Sequence, residues 1–173
     1  KTRQYLNRLR QIDRNVLSGD EQVSWDMLCD RLLESIDNEP FKDYTIPVSQ
    51  QDGPHHMLPQ VLATTDFSSF QDYENFEKRM RAFSRYIQYT VEDLREGMEL
   101  GIVAARVNIE PVSAQINTLI VTDYKKSAFY APLRDNKAGL PDAELKQLDR
   151  RYEDAIINWV NPSLRFLDNV LKI

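Results

Sequence analysis

The 173-residue sequence is poor in the residues that usually announce chemistry. It holds one cysteine, Cys29, so no internal disulfide can form and cysteine pairing says nothing of the compartment. The expected role of Cys29 is that of a small apolar residue buried on a helix. There are two histidines, side by side at His55 and His56. Glycine and proline, 5 and 8 residues, fall below their usual joint share of about 12%, which disfavours a loop-rich β fold. Apolar runs extend over only a few residues, so nothing reads as a membrane-spanning helix. Basic residues are outnumbered, 22 against 27, and the net charge of −5 lacks the basic footprint of a nucleic-acid binder. The glycines are too scattered to cradle a phosphate ahead of a helix. Ser18, Ser49 and Ser127 lack the flanking glycines of a nucleophile elbow.

What the sequence does contain is helical periodicity. A composition of 42% hydrophobic and 28% charged residues is that of a soluble globular chain rather than a disordered one. Tyr5, Leu6, Leu9, Ile12, Val16 and Leu17 fall at helical gaps. Ser18 and Glu21 have the capping-box spacing and open a second helix carrying Trp25, Leu28, Cys29, Leu32, Leu33 and Ile36 on one face. Asn38-Glu39-Pro40 closes it, and the short link predicts an antiparallel hairpin. Residues 38–66 break the pattern with Pro40, Pro47, Pro54 and Pro59. Tyr44–Val48 alternates like a strand that Pro47 confines to an edge. A loop this long in a small domain is packed over something or functional.

From Ser69 the helical period returns. Phe70, Tyr73, Phe76, Met80 and Phe83 make an aromatic stripe expected in the core, with Glu74–Lys78 and Glu77–Arg81 spaced for surface pairs. A further stripe follows in Ile87, Val91, Leu94 and Met98, with Gly101 as its C-cap. Pro111 suits a first helical position, before Val112, Ile116, Leu119 and a β-branched run that weakens the helix. Residues 124–139 form a second irregular stretch. A last helix opens at Pro141, reaches about 45 Å and is kinked at Pro162. The pattern predicts an all-α fold: an irregular antiparallel helical bundle of about six helices, one domain over residues 1–173, with two long irregular loops.

Candidate chemistry is sparse. His55 and His56 beside Asp52 suggest a metal, but neighbouring side chains of an extended segment point opposite ways and chelate poorly. No His-Glu-x-x-His and no cysteine pair is present. A role packing a loop or lining a cleft is expected instead. Tyr124, Lys125, Lys126, Phe129 and Tyr130 mix basic and aromatic residues as single-strand binders do, yet two lysines in an acidic chain make a weak case. Tyr124, Lys126 and Tyr130 fit a substrate cleft better. Asp149-Arg150-Arg151-Tyr152-Glu153-Asp154 reads as a solvated face, with Arg150 and Asp154 spaced for a surface pair.

Several segments together resemble a known family. They are Pro47-Val48-Ser49-Gln50 with Gly53-Pro54 and Leu58-Pro59, Tyr73 to Met80 running into Ala82 to Ile87, and Leu94-Arg95-Glu96-Gly97 with Gly101 and Arg106-Val107. Gln115, Tyr130-Ala131-Pro132 and Asn161-Pro162-Ser163-Leu164-Arg165 complete the set. In order and spacing they are similar to the bacterial domain-of-unknown-function family 885, over essentially the whole chain. One departure is Ala105, where the family pattern has proline, which implies a looser loop there.

The resemblance implies a mostly helical protein much longer than this chain, similar to helical zinc metallopeptidases and placed among cell-envelope lipoproteins. Its metal motif, His-Glu followed by Gly-His, lies far C-terminal to the matched region, and this chain has no His-Glu dipeptide. No catalytic, metal or cofactor residue is therefore carried over. Zinc is expected only in the C-terminal part beyond this chain. The chain starts at Lys1 without a leader and stops at Ile173 inside an apolar pattern, so the expectation is an N-terminal fragment. Its expected role is a non-catalytic wall of a substrate cleft, with the remainder of its own chain as partner and a peptide or small molecule as substrate. The resemblance points to the envelope or periplasm, while the sequence alone also allows the cytoplasm. The alternative is a stand-alone helical binding or scaffold module without activity.

Overall fold

The structure, a computed structural model, describes residues 1–172. The fold is all-α, and no strand occurs among the described residues. The sequence reading took the chain as one domain; its internal contacts gather into two compact units, Lys1–Tyr44 and the chain from Thr45 onward.

The first unit is the hairpin expected from the sequence. Helix α1 (Thr2–Leu9) buries Leu6 and Leu9, and a 3₁₀ turn at Arg14–Val16 leads to α2 (Gly19–Asn38). The Glu21 carboxylate accepts the Ser18 backbone N–H at 2.9 Å and the Ser18 hydroxyl at 2.8 Å, tying down the first turn of α2. Three contacts fix the antiparallel arrangement. Arg3 meets Glu39 at 2.7 Å, the Trp25 indole donates to the Leu9 carbonyl at 3.1 Å, and Arg14 grips Asp26 through two bonds of 2.7 and 2.6 Å. Cys29 is half-buried on α2 rather than fully buried, because no residue of that helix is fully enclosed.

The second unit is built on α3 (Pro54–Thr64) and α4 (Phe70–Leu100). Helix α3 corrects the expectation of a long irregular loop, and no strand forms at Tyr44–Val48, where Asp43–Thr45 is a 3₁₀ turn. The prolines that suggested breakage are tolerated. Pro54 sits at the first turn, where no donor is needed, and Pro59 removes one bond in the second turn. The aromatic and aliphatic stripes of 70–98 turn out to be one helix. Tyr73, Phe76, Met80, Phe83, Ile87 and Val91 are all buried along it. Its end is a Schellman motif. Gly101 is left-handed at φ 72°, with Ile102 N–H on Gly97 O at 2.8 Å and Gly101 N–H on Met98 O at 3.2 Å.

After α5 (Arg106–Ile109), helix α6 (Val112–Leu119) begins one residue past Pro111 and stops where the β-branched run starts. The second expected loop is also largely helical: 3₁₀ turns at Tyr124–Lys126 and Ala128–Tyr130 lead into α7 (Ala131–Asp135). The chain ends in α8 (Asp142–Asp154), a π-helical turn at Ala155–Val160, and α9 (Asn161–Leu171). Pro162 offers no N–H, and the wider π turn just before it is how the helix accommodates that loss. Asn161 reaches back to both polar groups of Val121, donating to its carbonyl at 2.7 Å and accepting its N–H at 3.4 Å. The stripe of α4 closes a core with Val112, Ile116, Phe129, Leu148, Tyr152, Ile156, Leu164 and Leu167.

The charge run on α8 is not the solvated face expected. Arg151 binds Glu74 and also Glu77, the latter at 2.8 Å. Asp154 binds Arg81 at 2.7 Å rather than Arg150, and Tyr152 is buried, donating to the Tyr73 carbonyl at 3.0 Å. The reason is helix pairing: α8 lays this face along α4, so Glu74 meets Arg151 across the interface instead of Lys78 on its own helix. The Glu77–Arg81 pair forms as its spacing predicts.

Candidate functional site

Two separate clusters hold the residues singled out from the sequence. The first lies at the start of α3. Gly53 adopts φ 137°, and a Cβ there would come within 3.2 Å of the His55 ring, so only glycine lets the imidazole pack this closely. His55 is 2% exposed, and its ring centroid lies 4.1 Å from that of His56. The extended-segment geometry assumed for the pair does not apply: both residues are in the first turn of a helix, about 100° apart around its axis, so the rings can meet.

Gln115 of α6 sets the protons of this cluster. Its amide nitrogen donates to the Gln50 carbonyl at 3.0 Å, which turns its oxygen to His55 Nε2 at 3.2 Å. His55 therefore carries its proton on Nε2, and its Nδ1 is a buried acceptor with no partner. His56 Nε2 reaches the same Gln50 carbonyl at 3.0 Å, which fixes the same tautomer. Burial, then repulsion from His56, pushes the His55 imidazole below its usual pKa, with the Gln115 bond opposing. The preceding segment is wired in too. Gln50 N–H donates to Asn108 O at 2.9 Å, and Ser49 Oγ accepts the N–H groups of Gln51 and Asp52 at 3.2 and 3.1 Å. Outside this network lies an open, mostly polar cleft of about 580 Å³, where Gln51, Asp52, His56 and Gln60 face Tyr86 of α4.

The second cluster is on the other irregular segment. The Tyr124 and Tyr130 hydroxyls both donate to Asp149 of α8, at 3.2 and 2.7 Å, with their rings edge-on at 5.3 Å. Burial and then the Asp149 charge push the Tyr124 phenol up to about 12, and Tyr130 is raised by burial and its bond to Asp149. Both hydroxyls thus anchor the segment to α8. Lys126 is exposed beside them.

Sequence reasoning missed the partners: Gln50 and Gln115 for the histidines, Asp149 for the tyrosines. Gln115 lies 60 residues from His55 and Asp149 lies 25 and 19 from the tyrosines, so no local spacing could expose them, and Gln50, six residues before His56, is reached through a backbone carbonyl that carries no side-chain signal. A separate apolar groove of about 530 Å³ runs between Leu94, Met98, Ile102, Val103 and Val170, away from both clusters. Among the described residues no three His, Cys, Asp or Glu side chains gather into a metal-holding group, and no helix is long and apolar enough to cross a membrane. The Nε2 atoms of His55 and His56 are each engaged by a neutral oxygen of the network.

The family model described as "Bacterial protein of unknown function (DUF885)" matches residues 1–172. No curated protein and no solved structure matches the chain.

Proposed function

This chain belongs to the bacterial DUF885 family over essentially its whole length, and from that premise we propose that it is the non-catalytic helical part of a metallopeptidase-like cell-envelope protein, forming one wall of a substrate cleft. The observation that carries this reading is the polar cleft beside α3, whose wall is held rigid by Gln50, Gln115 and the two histidines. A wall fixed by hydrogen bonds, lined with amide and carboxylate groups and one aromatic face, suits a peptide or another polar small molecule. The chemistry itself would reside on a zinc centre carried by later residues of the longer protein. No metal-holding group of three gathers among the described residues, and the wall's part is to position substrate and exclude water.

The test uses the full-length protein. Its coding sequence should continue past Ile173 into a His-Glu and Gly-His pair, and the product should hydrolyse peptides. Tyr86→Ala and Gln51→Ala should raise KM with kcat nearly unchanged, as loss of uniform binding does. Turnover by the 173-residue chain alone, or cleft variants that leave KM untouched, would refute the reading.

A further inference from the structure

We propose that His55 and His56 form a proton-operated latch: protonation of His55 releases the 49–56 segment from α6 and opens the cleft beside it. The latch uses the cleft-wall reading only for its consequence, since its opening can be measured without any substrate.

The argument begins with one nitrogen. His55 Nδ1 is buried, carries no proton in the neutral tautomer, and has no hydrogen-bond partner. A second proton taken up from solvent must go to that nitrogen, because Nε2 already donates to Gln115. The new N–H would then point where nothing accepts it, and the positive charge would sit in an enclosed site. Neighbours make this worse. The titratable group facing His55 on its own helix is His56, with ring centroids 4.1 Å apart; α6 presents the neutral Gln115 and the preceding segment the backbone around Gly53. Asp52 and Tyr86 of α4 line the cleft together with His56. The lowered pKa of His55 agrees in direction with this geometry.

Release concerns residues 49–53: Val48 stays in the core, and beyond it Gln50 is held by its N–H on Asn108 O and by two donors to its carbonyl. The Gln50 carbonyl receives both His56 Nε2 and Gln115 Nε2, and Gln115 also receives His55. If the charged His55 ring moves out to water, Gln115 loses the partner that orients its amide toward the Gln50 carbonyl. Gln51, Asp52 and Gly53, which form the cleft wall, then move together. A buried histidine working against a two-state element is the general device of pH-sensing proteins.

The sign follows from linkage. The folded chain disfavours the charged imidazole, so the latched state is fully stabilised above the free-histidine pKa of about 6.5 and loses that stabilisation as pH falls below it. The test combines imidazole NMR with amide hydrogen exchange on the 173-residue chain, corrected for the intrinsic pH dependence of exchange. His55 should titrate below the free value. Protection of amides 49–57 should be lost in step with it, while the buried middle of α4 stays protected. His56→Gln removes the repulsion on His55, which should let His55 titrate at higher pH while the opening that its charge drives becomes weaker. His55→Gln cannot be charged and should keep the segment protected throughout. The latch is overturned if His55 titrates without loss of protection, if protection follows His56 instead, or if His55→Gln opens at the same pH as the parent chain. Failure of the latch would leave the kinetic test of the cleft wall standing, and the reverse also holds.

Discussion

Glu77 should be the most sensitive charge in the second unit. Its side chain is 3% exposed, and it lies between Arg81 of its own helix and Arg151 of α8, the latter at 2.8 Å. Those guanidiniums also bind Asp154 and Glu74, so five charges share one interface between α4 and α8. Replacing Glu77 with glutamine keeps the shape but leaves two cations facing each other without the central anion. Breaking a buried pair costs about 3–5 kcal/mol. Arg81 and Arg151 are 34% and 28% exposed, so solvent recovers part of the loss; about 2–4 kcal/mol remains. At roughly 2–4 °C per kcal/mol for a chain of this size, Tm should fall by about 5–15 °C. Trp159 is the reporter, because its ring lies 5.7 Å from the Arg81 guanidinium and a Trp25→Phe background silences the first unit. In that background, urea unfolding of Glu77→Gln, Arg151→Met and the double variant gives a cycle, with an expected coupling of about 1–3 kcal/mol. A change under about 0.5 kcal/mol for Glu77→Gln, the size seen at exposed pairs, would show that the cluster is solvated and the burial argument wrong.

Gly97→Ala should destabilise by about 1–3 kcal/mol, because its Cβ would fall 2.6 Å from Ile102 O and 2.9 Å from Thr45 O, both backbone atoms. Gly101→Ala meets no atom within 4 Å but must hold φ 72°, so its cost is purely conformational, about 1–2 kcal/mol. Thermal melts of the pair compare the two causes, and an unchanged Gly97→Ala would contradict the close approach. Asp149→Asn should bring the Tyr124 phenol down from about 12 while leaving it above the usual value, since burial is the larger cause. Phenolate absorbance in a Tyr130→Phe background tests this, and an unmoved midpoint would deny the charge its role. On acidification, Glu74 and Asp154 should each withdraw stability. Arg151 chiefly depresses the first, and Asn158 then Arg81 the second, so their contributions are present above the unfolded carboxyl value of about 4 and fade as pH drops through the lowered ones. Asp93, raised by burial and by Glu96 and Glu92, acts in the opposite sense. A urea midpoint that stays flat through this acid range would count against the pairing.

The legible part of this fold was whatever obeys a local period. The buried side of α4 follows directly from gaps of three and four, and Ser69, Gly101 and the Ser18–Glu21 box mark helix ends by chemistry that needs no distant partner. What stayed hidden was governed by proline or by tertiary pairing. Pro54 and Pro59 look like breakers in a string of letters, but a first-turn proline costs no bond, and one lost bond in α3 is offset by burying Leu58 and His55. The same ambiguity conceals the π turn before Pro162. The α8 charge run misled for a different reason. Spacing within a helix identifies Arg150 and Asp154 as neighbours, but it cannot show that α4 brings Arg81 closer.

The histidines carry that lesson to the candidate site. Judged as an extended dipeptide they point apart, and judged as a helical turn they touch; the backbone decides which chemistry is open to them. Even then the ring contact alone has no function. It acquires one because Gln115, sixty residues away, orients its amide by bonding Gln50, and so decides which nitrogen of His55 bears the proton and which lies bare. The decisive residue is thus a neutral amide that no scan for acids, bases or ligands would select. Its substitution is the sharper probe. Gln115→Glu would place a carboxylate against His55 Nε2, favour the charged imidazole in its latched position and raise its pKa, so protonation should no longer open a latch that is driven by uncompensated charge. If the opening instead stayed at the parent pH while His55 titrated higher, charge on that ring would not be what holds or releases the wall.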